Sequence, residues 1–210
     1  MKFSKEQIQT LQDIIYSRRD VRGFNFLDKK ITNEDLEKIL TSAIHAPSVG
    51  YSQAWKFVLI DDKETKEEIK ENFEIENEKA KKIFADKEIY KELKLEGINE
   101  APLNIAVFYE KPNEVILGTT SQDKMGEYSV VCAVQNMWLM ARALGIGLGW
   151  ISILDEKKVL KTLNAPKNTK LIAYLALGYV DKFYNEPELK SIKWKEKKEL
   201  SECVVNNKWA

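Results

Sequence analysis

Two stretches near the start of the chain repeat apolar residues every three or four positions, the spacing of a helix with one buried face. The first helix is predicted to run to about Ser17. The second is predicted to begin after Thr32, a typical N-cap residue, and to end in the turn 46–50, where Pro47 and Gly50 interrupt the pattern. The residues that set the two patterns are Ile8, Leu11, Ile14 and Ile15, then Leu36, Ile39, Leu40 and Ala43.

Short apolar runs farther along the chain have the length of buried strands. They span residues 57–60, 104–109, 150–154 and 171–177, with a possible last strand at 203–205. The most apolar helix is expected at 128–144, and Asp155 is expected to cap a short helix that ends near Asn164. Because helices and strands are mixed without a regular βαβ repeat, the pattern predicts an α+β fold.

Three glycines, Gly145, Gly147 and Gly149, stand between the most apolar helix and the strand predicted at 150–154. A dinucleotide-binding fingerprint places its glycines after a strand and before a helix. The order here is the reverse, so these glycines do not indicate a dinucleotide site.

The segment 61–96 is rich in Glu and Lys, with apolar residues scattered through it. This composition predicts one or two solvated helices, which we interpret as a lid-like segment. The tail at 181–210 is basic and loop-rich and is interpreted as a C-terminal extension. With 210 residues and no clear linker, the chain is predicted to form one domain, 1–210.

Composition narrows the classes of function. Lys plus Arg and Asp plus Glu number 33 each, so no overall field favours nucleic acid or an anionic membrane. The longest nearly apolar run, 130–144, contains polar residues and is too short to span a bilayer. Cys132 and Cys203 do not suggest a disulfide framework, and a single histidine, His45, argues against a histidine-built metal site. A cytoplasmic protein without a metal is expected.

Three arginines and one aspartate fall within five residues, where the first helix ends. Arg18, Arg19 and Arg22 suit planar, bidentate recognition of a phosphate. The alternative is a solvated helix end, where cations complement the helix dipole. Asp20 is either a turn carboxylate or a group that accepts or relays a proton, and its arginine neighbours are expected to favour its ionised form.

The order of several segments resembles the nitroreductase-like flavoprotein superfamily. Within it the chain is most similar to the BluB branch, the 5,6-dimethylbenzimidazole synthases, because other members usually carry Ser or Thr where this chain has Asp20. The segments that carry the resemblance are 18–22, 45–50 with 53–55, 96–104, 128–129 with 131–136, 149–152 and 187–189.

This resemblance implies a nitroreductase-like fold, with a central mixed sheet flanked by helices, in an intertwined homodimer that binds FMN at the subunit interface. It also implies a reaction in which reduced FMN is the substrate and dioxygen the co-substrate. The isoalloxazine is fragmented to 5,6-dimethylbenzimidazole, the lower ligand of cobalamin. A separate flavin reductase would supply the reduced FMN, and neither nucleic acid nor a membrane is expected as a partner.

The resemblance also implies roles for individual residues. Asp20 and Ser152 are the implied catalytic residues, with Asp20 near the flavin edge and Ser152 beside the ring, where its hydroxyl orients dioxygen. The alternative for Ser152 is an ordinary strand hydroxyl bonded to the backbone. The residues implied to bind the cofactor are Arg18, Arg19, Asp20, Val21, Arg22, Ser48, Gln53, Leu103, Gly149, Trp150, Ser152 and Lys197.

Several of these assignments have plain structural alternatives. Ser48 and Gln53 flank a turn, in which Ser is common for local reasons, and Lys197 lies in a lysine run that solvent alone would explain. Ala54 also departs from the family, which commonly has Pro there. Two other functions therefore stay open: an NAD(P)H-dependent nitro- or quinone reductase or deiodinase-like reductase, and a non-catalytic flavin-binding protein.

Overall fold

Four of the six helices in the described residues begin at a capping side chain supplied by the sequence. A computed structural model describes residues 2–209, so Met1 and Ala210 of the predicted domain lie outside the described residues. Ser4, Thr32, Asp62 and Asp155 each accept a hydrogen bond from a main-chain N–H in the first turn of a helix. The helices are α1 (Lys5–Ser17), α2 (Asn33–Ile44), α3 (Lys63–Ile83), α4 (Met125–Ala143), α5 (Glu156–Thr162) and α6 (Glu188–Ser191).

Four strands form one sheet in the spatial order β1-β2-β4-β3. They are β1 (Trp55–Ile60), β2 (Leu103–Glu110), β3 (Ile146–Ile151) and β4 (Thr169–Tyr179). All three pairings between these strands are antiparallel, whereas a mixed sheet was expected. Parallel pairing in residues 2–209 is confined to an isolated bridge between Asp20 and Leu148 at the β3 edge. The predicted α+β class is confirmed.

Both faces of the sheet are covered, as the apolar runs of β2 and β4 require. Helices α2 and α4 pack on one face, where Val134 and Met137 lie fully buried against the odd-numbered residues of β2. Helices α3 and α5 cover the opposite face, with Ile69 and Val159 at its centre. Gly145, in the left-handed conformation at φ 73°, ends α4 and turns the chain into β3.

The third strand begins earlier than the sequence suggested. It starts at Ile146 and ends at Ile151, so the strand predicted at 150–154 is wrong in its bounds and Ser152 lies just beyond the strand. Gly147 and Gly149 are not the entry turn. They lie inside the strand, where a Cβ at Gly149 would overlap the carbonyl oxygen of Val21 and a Cβ at Gly147 would overlap the side chains of Val180 and Val21.

The last predicted strand, at 203–205, is also wrong. A short 3-10 helix covers Leu200–Glu202, and residues 203–205 are exposed and lie outside the strands of the sheet. Val204 and Val205 have the composition of a strand, but within residues 2–209 they pair with none of the four strands.

The segment interpreted as a lid consists of α3 and a 3-10 helix at Glu88–Glu92. Its aromatic residues Phe84 and Tyr90 stack at 4.9 Å between ring centroids, and Trp194 of the tail contacts both rings. The tail is therefore attached to this segment by a packed aromatic group. Within residues 2–209, no helix combines the length and apolarity that crossing a bilayer requires.

Candidate functional site

Asp20 is held against the edge of the sheet by two hydrogen bonds. The main-chain N–H of Val21 donates to the carbonyl of Leu148 at 3.1 Å, and the N–H of Trp150 donates to Asp20 Oδ1 at 3.0 Å. A Cβ at Gly149 would overlap the carbonyl oxygen of Val21. Gly149 is therefore required by the neighbouring backbone of this chain, and this close approach fixes the position of the Asp20 carboxylate.

The second oxygen of Asp20 forms an ion pair with Arg22, at 2.5 Å from Oδ2 to Nη2. Burial nonetheless raises the pKa of the Asp20 carboxyl above its ordinary value, against the lowering by Arg22, the Trp150 N–H and Arg18. Arg22 and Arg18 do favour the ionised form, as expected, but burial outweighs them and leaves the pKa above its ordinary value. The carboxylate loses more hydration than its cationic neighbours restore.

Arg22 lies between two carboxylates. Its Nε is 3.9 Å from Glu188 Oε2, its Nη1 donates to the carbonyl of Leu95 at 3.4 Å, and its side chain is only 13% exposed. Burial raises the pKa of Glu188 as well, and the charge of Asp20 adds to that shift. The Nε atom itself is buried without a hydrogen-bond partner in residues 2–209, so Arg22 retains an unused donor.

Arg18 and Arg19 leave the end of α1 in different directions. The Arg18 guanidinium stacks on Trp138 of α4, 4.5 Å from the ring centroid, and burial lowers its pKa. Arg19 donates to the main-chain carbonyls of Tyr16, Arg18, Tyr184 and Asn185, which commits four of its five N–H groups. This geometry favours a structural role for Arg19, which attaches the tail to α1, over the predicted contact with a phosphate.

These side chains line a cleft of about 140 Å³ between the end of α1 and the start of the tail. Typical small-molecule pockets begin at roughly 300 Å³. One copy of the chain therefore encloses only part of a cofactor-sized ligand. The residues that line the cleft are Arg18, Arg19, Asp20, Arg22, Tyr184, Glu186, Pro187, Glu188 and Leu189.

The predicted contacts Ser48 and Gln53 lie in a separate turn, between α2 and β1. The Ser48 hydroxyl accepts from the Gln53 N–H at 3.2 Å, and the Val49 N–H donates to Ser129 on α4 at 3.0 Å. Ser129 precedes Trp138 by nine residues, about 14 Å along a helix. This turn and the arginine cleft thus lie at different levels of α4 and do not meet within one copy of the chain.

The remaining predicted residues occupy varied positions. Val21 is buried beside Gly147, and Leu103 is buried at the start of β2, where it pairs with Leu177. Ser152 is exposed just after β3, two residues beyond the Trp150 N–H that binds Asp20. Lys197 lies in the exposed tail, and no contact in the described part of the chain joins it to the cleft.

Two side chains of this region were given no role by the sequence. Trp138 stacks on Arg18 and donates from Nε1 to the carbonyl of Arg19 at 3.1 Å. It therefore holds both arginines of the cleft against α4. Trp138 lies in an apolar helix, and its local sequence does not distinguish it from the core residues of that helix. Glu188 is far from Arg22 in sequence, and only its place in the 187–189 motif pointed to it.

The chain is similar to known proteins over most of its length. The model of the Nitroreductase family matches residues 15–179. The chain is 37% identical over 185 residues to a 5,6-dimethylbenzimidazole synthase of Rhodospirillum rubrum, with 86% of this chain and 87% of that protein covered. It is 32% identical over 200 residues to a 5,6-dimethylbenzimidazole synthase of Rhodobacter capsulatus, with 93% and 96% covered.

A solved structure extends the comparison to the fold. The crystal structure of oxidized iodotyrosine deiodinase bound to FMN and 3-iodo-L-tyrosine is 24% identical and superposes with a TM-score of 0.73, covering 95% of this chain and 100% of that one. That likeness concerns the fold alone. Because the family model spans most of the sequence and both synthases align over nearly their whole length, the chain belongs to the nitroreductase family.

Proposed function

We propose that this chain is a 5,6-dimethylbenzimidazole synthase, an oxidoreductase that consumes reduced FMN with dioxygen. The observation that carries the proposal is the Asp20 carboxylate, held between the Trp150 N–H and Arg22 in a cleft lined by arginines. The identity of 37% and 32% to proteins named for this activity supports it.

The cleft has the chemistry to hold the phosphate end of FMN. Arg18 presents a guanidinium backed by the face of Trp138, and the buried Nε of Arg22 has no hydrogen-bond partner in residues 2–209. Both features suit an anion that supplies acceptor oxygens. A relative of the same fold has been crystallised with FMN, which supports this choice of ligand.

A second copy of the chain would complete the site. Apolar residues of α1 and α4 remain exposed in one copy, among them Ile8, Leu11 and Ile15 on α1 and Tyr128 and Val131 on α4. Apolar stripes along two neighbouring helices mark an interaction surface. In a homodimer, the turn that carries Ser48 and Gln53 would come from the partner copy. Sedimentation velocity of the purified protein should give the mass of a dimer.

Reduced FMN supplies the ring system that is broken, and dioxygen is the oxidant. Asp20 is suited to accept and hand on a proton in this reaction, because a carboxyl pKa raised by burial lies closer to the working pH. Arg22 keeps the carboxylate oriented through Oδ2 while the Trp150 N–H holds Oδ1. The Ser152 hydroxyl, exposed beyond β3, is free to contact dioxygen on the same edge of the sheet.

The test is direct formation of product. FMN is reduced without oxygen, mixed with the protein, exposed to air and analysed by liquid chromatography with mass detection. The wild-type protein should form 5,6-dimethylbenzimidazole. Asp20→Asn should lower the yield by about a hundredfold or more, the usual contribution of a proton-transfer group. Ser152→Ala, which removes the hydroxyl proposed to contact dioxygen, should also lower the yield. Asp13→Asn, the same change on the exposed surface of α1, should leave the yield unchanged.

The rival functions give different results in the same experiment. A nitro- or quinone reductase would return oxidised FMN without the product and would bleach bound FMN when NAD(P)H is added. A flavin-binding protein without catalysis would bind FMN equally well in the Asp20→Asn and wild-type forms and would make no product. Either pattern would refute the proposal.

A further inference from the structure

The motif at 96–104 carries part of the family resemblance, yet the proposed function uses none of its side chains. Its first residues lie directly against the arginine segment. The Gly23 N–H donates to the carbonyl of Glu96 at 3.0 Å, and Arg22 Nη1 donates to the carbonyl of Leu95. A Cβ at Gly97 would lie 3.0 Å from Gly23 Cα, so the two backbones touch without side chains between them.

A buried carboxylate fixes this segment in place. The Glu96 side chain is only 2% exposed, and its Oε1 accepts from Lys70 Nζ at 2.7 Å and from Lys94 Nζ at 2.6 Å. Its Oε2 accepts from the Ile98 N–H at 2.8 Å, which closes the loop on itself. An ionised group this deep in a fold is costly unless every lone pair finds a donor, and here each oxygen has one.

Stability alone is a weak reason to bury such a group. Apolar residues of similar volume usually serve a core as well as a buried ion pair does. A buried ion cluster does fix geometry, because each partner must take one position to satisfy the others. Glu96 fixes the carbonyls of residues 95 and 96, and these carbonyls receive Arg22 and Gly23.

We propose that Glu96 is a positioning residue for Arg22 and, through Arg22, for the Asp20 carboxylate. The part of this inference that concerns Asp20 in the reaction rests on the proposed function. Lys70 belongs to α3, so the same cluster links the lid-like segment to the cleft. A change in α3 that moved Lys70 would be transmitted to Arg22 through the Lys70–Glu96 ion pair and the hydrogen bond from Arg22 to the Leu95 carbonyl.

The test pairs Glu96→Gln with a control on the same lysine. Gln keeps the shape of the side chain but leaves Lys70 and Lys94 without the buried anion. Glu74→Gln removes the exposed carboxylate that lies 3.8 Å from Lys70 and leaves Glu96 untouched. Binding of oxidised FMN is followed by quenching of flavin fluorescence. Glu96→Gln should weaken binding about tenfold, and Glu74→Gln should not change it.

A double-mutant cycle separates positioning from general damage. Arg22→Lys removes the group that Glu96 is proposed to position, so adding Glu96→Gln to Arg22→Lys should weaken FMN binding no further. If the two losses multiply, or if Glu96→Gln lowers the unfolding midpoint and leaves FMN affinity at the wild-type value, the proposal is overturned. Should Glu96→Gln not fold, Lys94→Gln removes one of the two cations and is judged by the same criteria.

Failure of the proposed function would look different. If the wild-type protein forms no 5,6-dimethylbenzimidazole from reduced FMN, the proposed function fails, and the same cycle is then measured by urea unfolding without flavin. Non-additive unfolding free energies for Glu96→Gln and Arg22→Lys would still support the positioning role, and additive ones would refute it.

Discussion

Gly149→Ala tests whether the neighbouring backbone, rather than a ligand, requires glycine at this position. The new methyl would overlap the carbonyl oxygen of Val21 and lie 3.7 Å from Asp20 Oδ1. Residues 20–21 must therefore move away from β3. That movement breaks the bond from the Val21 N–H to Leu148 and the bond from the Trp150 N–H to the Asp20 carboxylate.

The expected loss of stability follows from the loss of those two hydrogen bonds. A neutral main-chain hydrogen bond contributes about 1 kcal/mol and one to a charged acceptor about 1.5–3 kcal/mol. We expect Gly149→Ala to lower the free energy of unfolding by about 3 kcal/mol in urea at pH 7. In a chain of this size that corresponds to a fall in melting temperature of about 10 °C.

Gly145→Ala is the matched control. A Cβ added at Gly145 would meet no atom of the described residues within 4 Å, but φ is 73°, so the methyl costs only left-handed strain, about 1–2 kcal/mol. Gly149→Ala should also abolish the Asp20-dependent formation of product, whereas Gly145→Ala should retain it. Equal losses of stability in the two variants, or an active Gly149→Ala protein, would show that residues 20–21 do not lie where we describe them.

Three further predictions concern the charges and the tail. Burial raises the folded-state pKa of Asp20, so the stability that this carboxyl contributes is lost as the pH rises from the ordinary Asp pKa of 3.8 through the folded pKa. Asp20→Asn should therefore be at least as stable as wild type at pH 7, and a clear loss of unfolding free energy at that pH would contradict the burial argument. Burial opposes a low pKa for Glu96, but hydrogen bonds from Lys70 and Lys94 and from the Ile98 N–H prevail and lower it. The contribution of Glu96 to the free energy of unfolding is therefore present above pH 4.5 and lost as the pH falls through the folded pKa. The difference in unfolding free energy between wild type and Glu96→Gln should disappear in acid, and an unchanged difference at pH 3 would count against the ion cluster. Trp194→Ala should speed amide hydrogen exchange in residues 84–92, since each lost aromatic contact there contributes about 1 kcal/mol, and unchanged exchange would show that the tail does not brace this segment.

Local signals in the sequence were sufficient to predict most elements of the fold. The caps Thr32 and Asp155 and the apolar runs of β2 and β4 marked elements that the structure contains within a few residues. The error at β3 has a specific cause. Gly147 and Gly149 look like turn residues, but both face Val21, which lies more than a hundred positions earlier in the chain, and Gly147 also faces Val180.

The candidate site was less accessible to sequence reasoning, because its properties depend on contacts between distant segments. Arg18 and Arg19 are adjacent and chemically identical, yet one stacks on Trp138 and the other is occupied by main-chain carbonyls. The pKa of Asp20 followed from burial, which no spacing of charges reveals. The role we infer for Glu96 likewise depends on a contact with Gly23 across the fold.

The fate of the flavin tests the central claim most directly. The protein is mixed with a known amount of FMN, which is reduced and exposed to air through repeated cycles while total flavin and 5,6-dimethylbenzimidazole are measured by chromatography. Our account predicts that flavin disappears as the product accumulates, mole for mole, and that Asp20→Asn leaves the flavin intact. Total flavin that stays constant in the wild-type reaction, with no product, would contradict it.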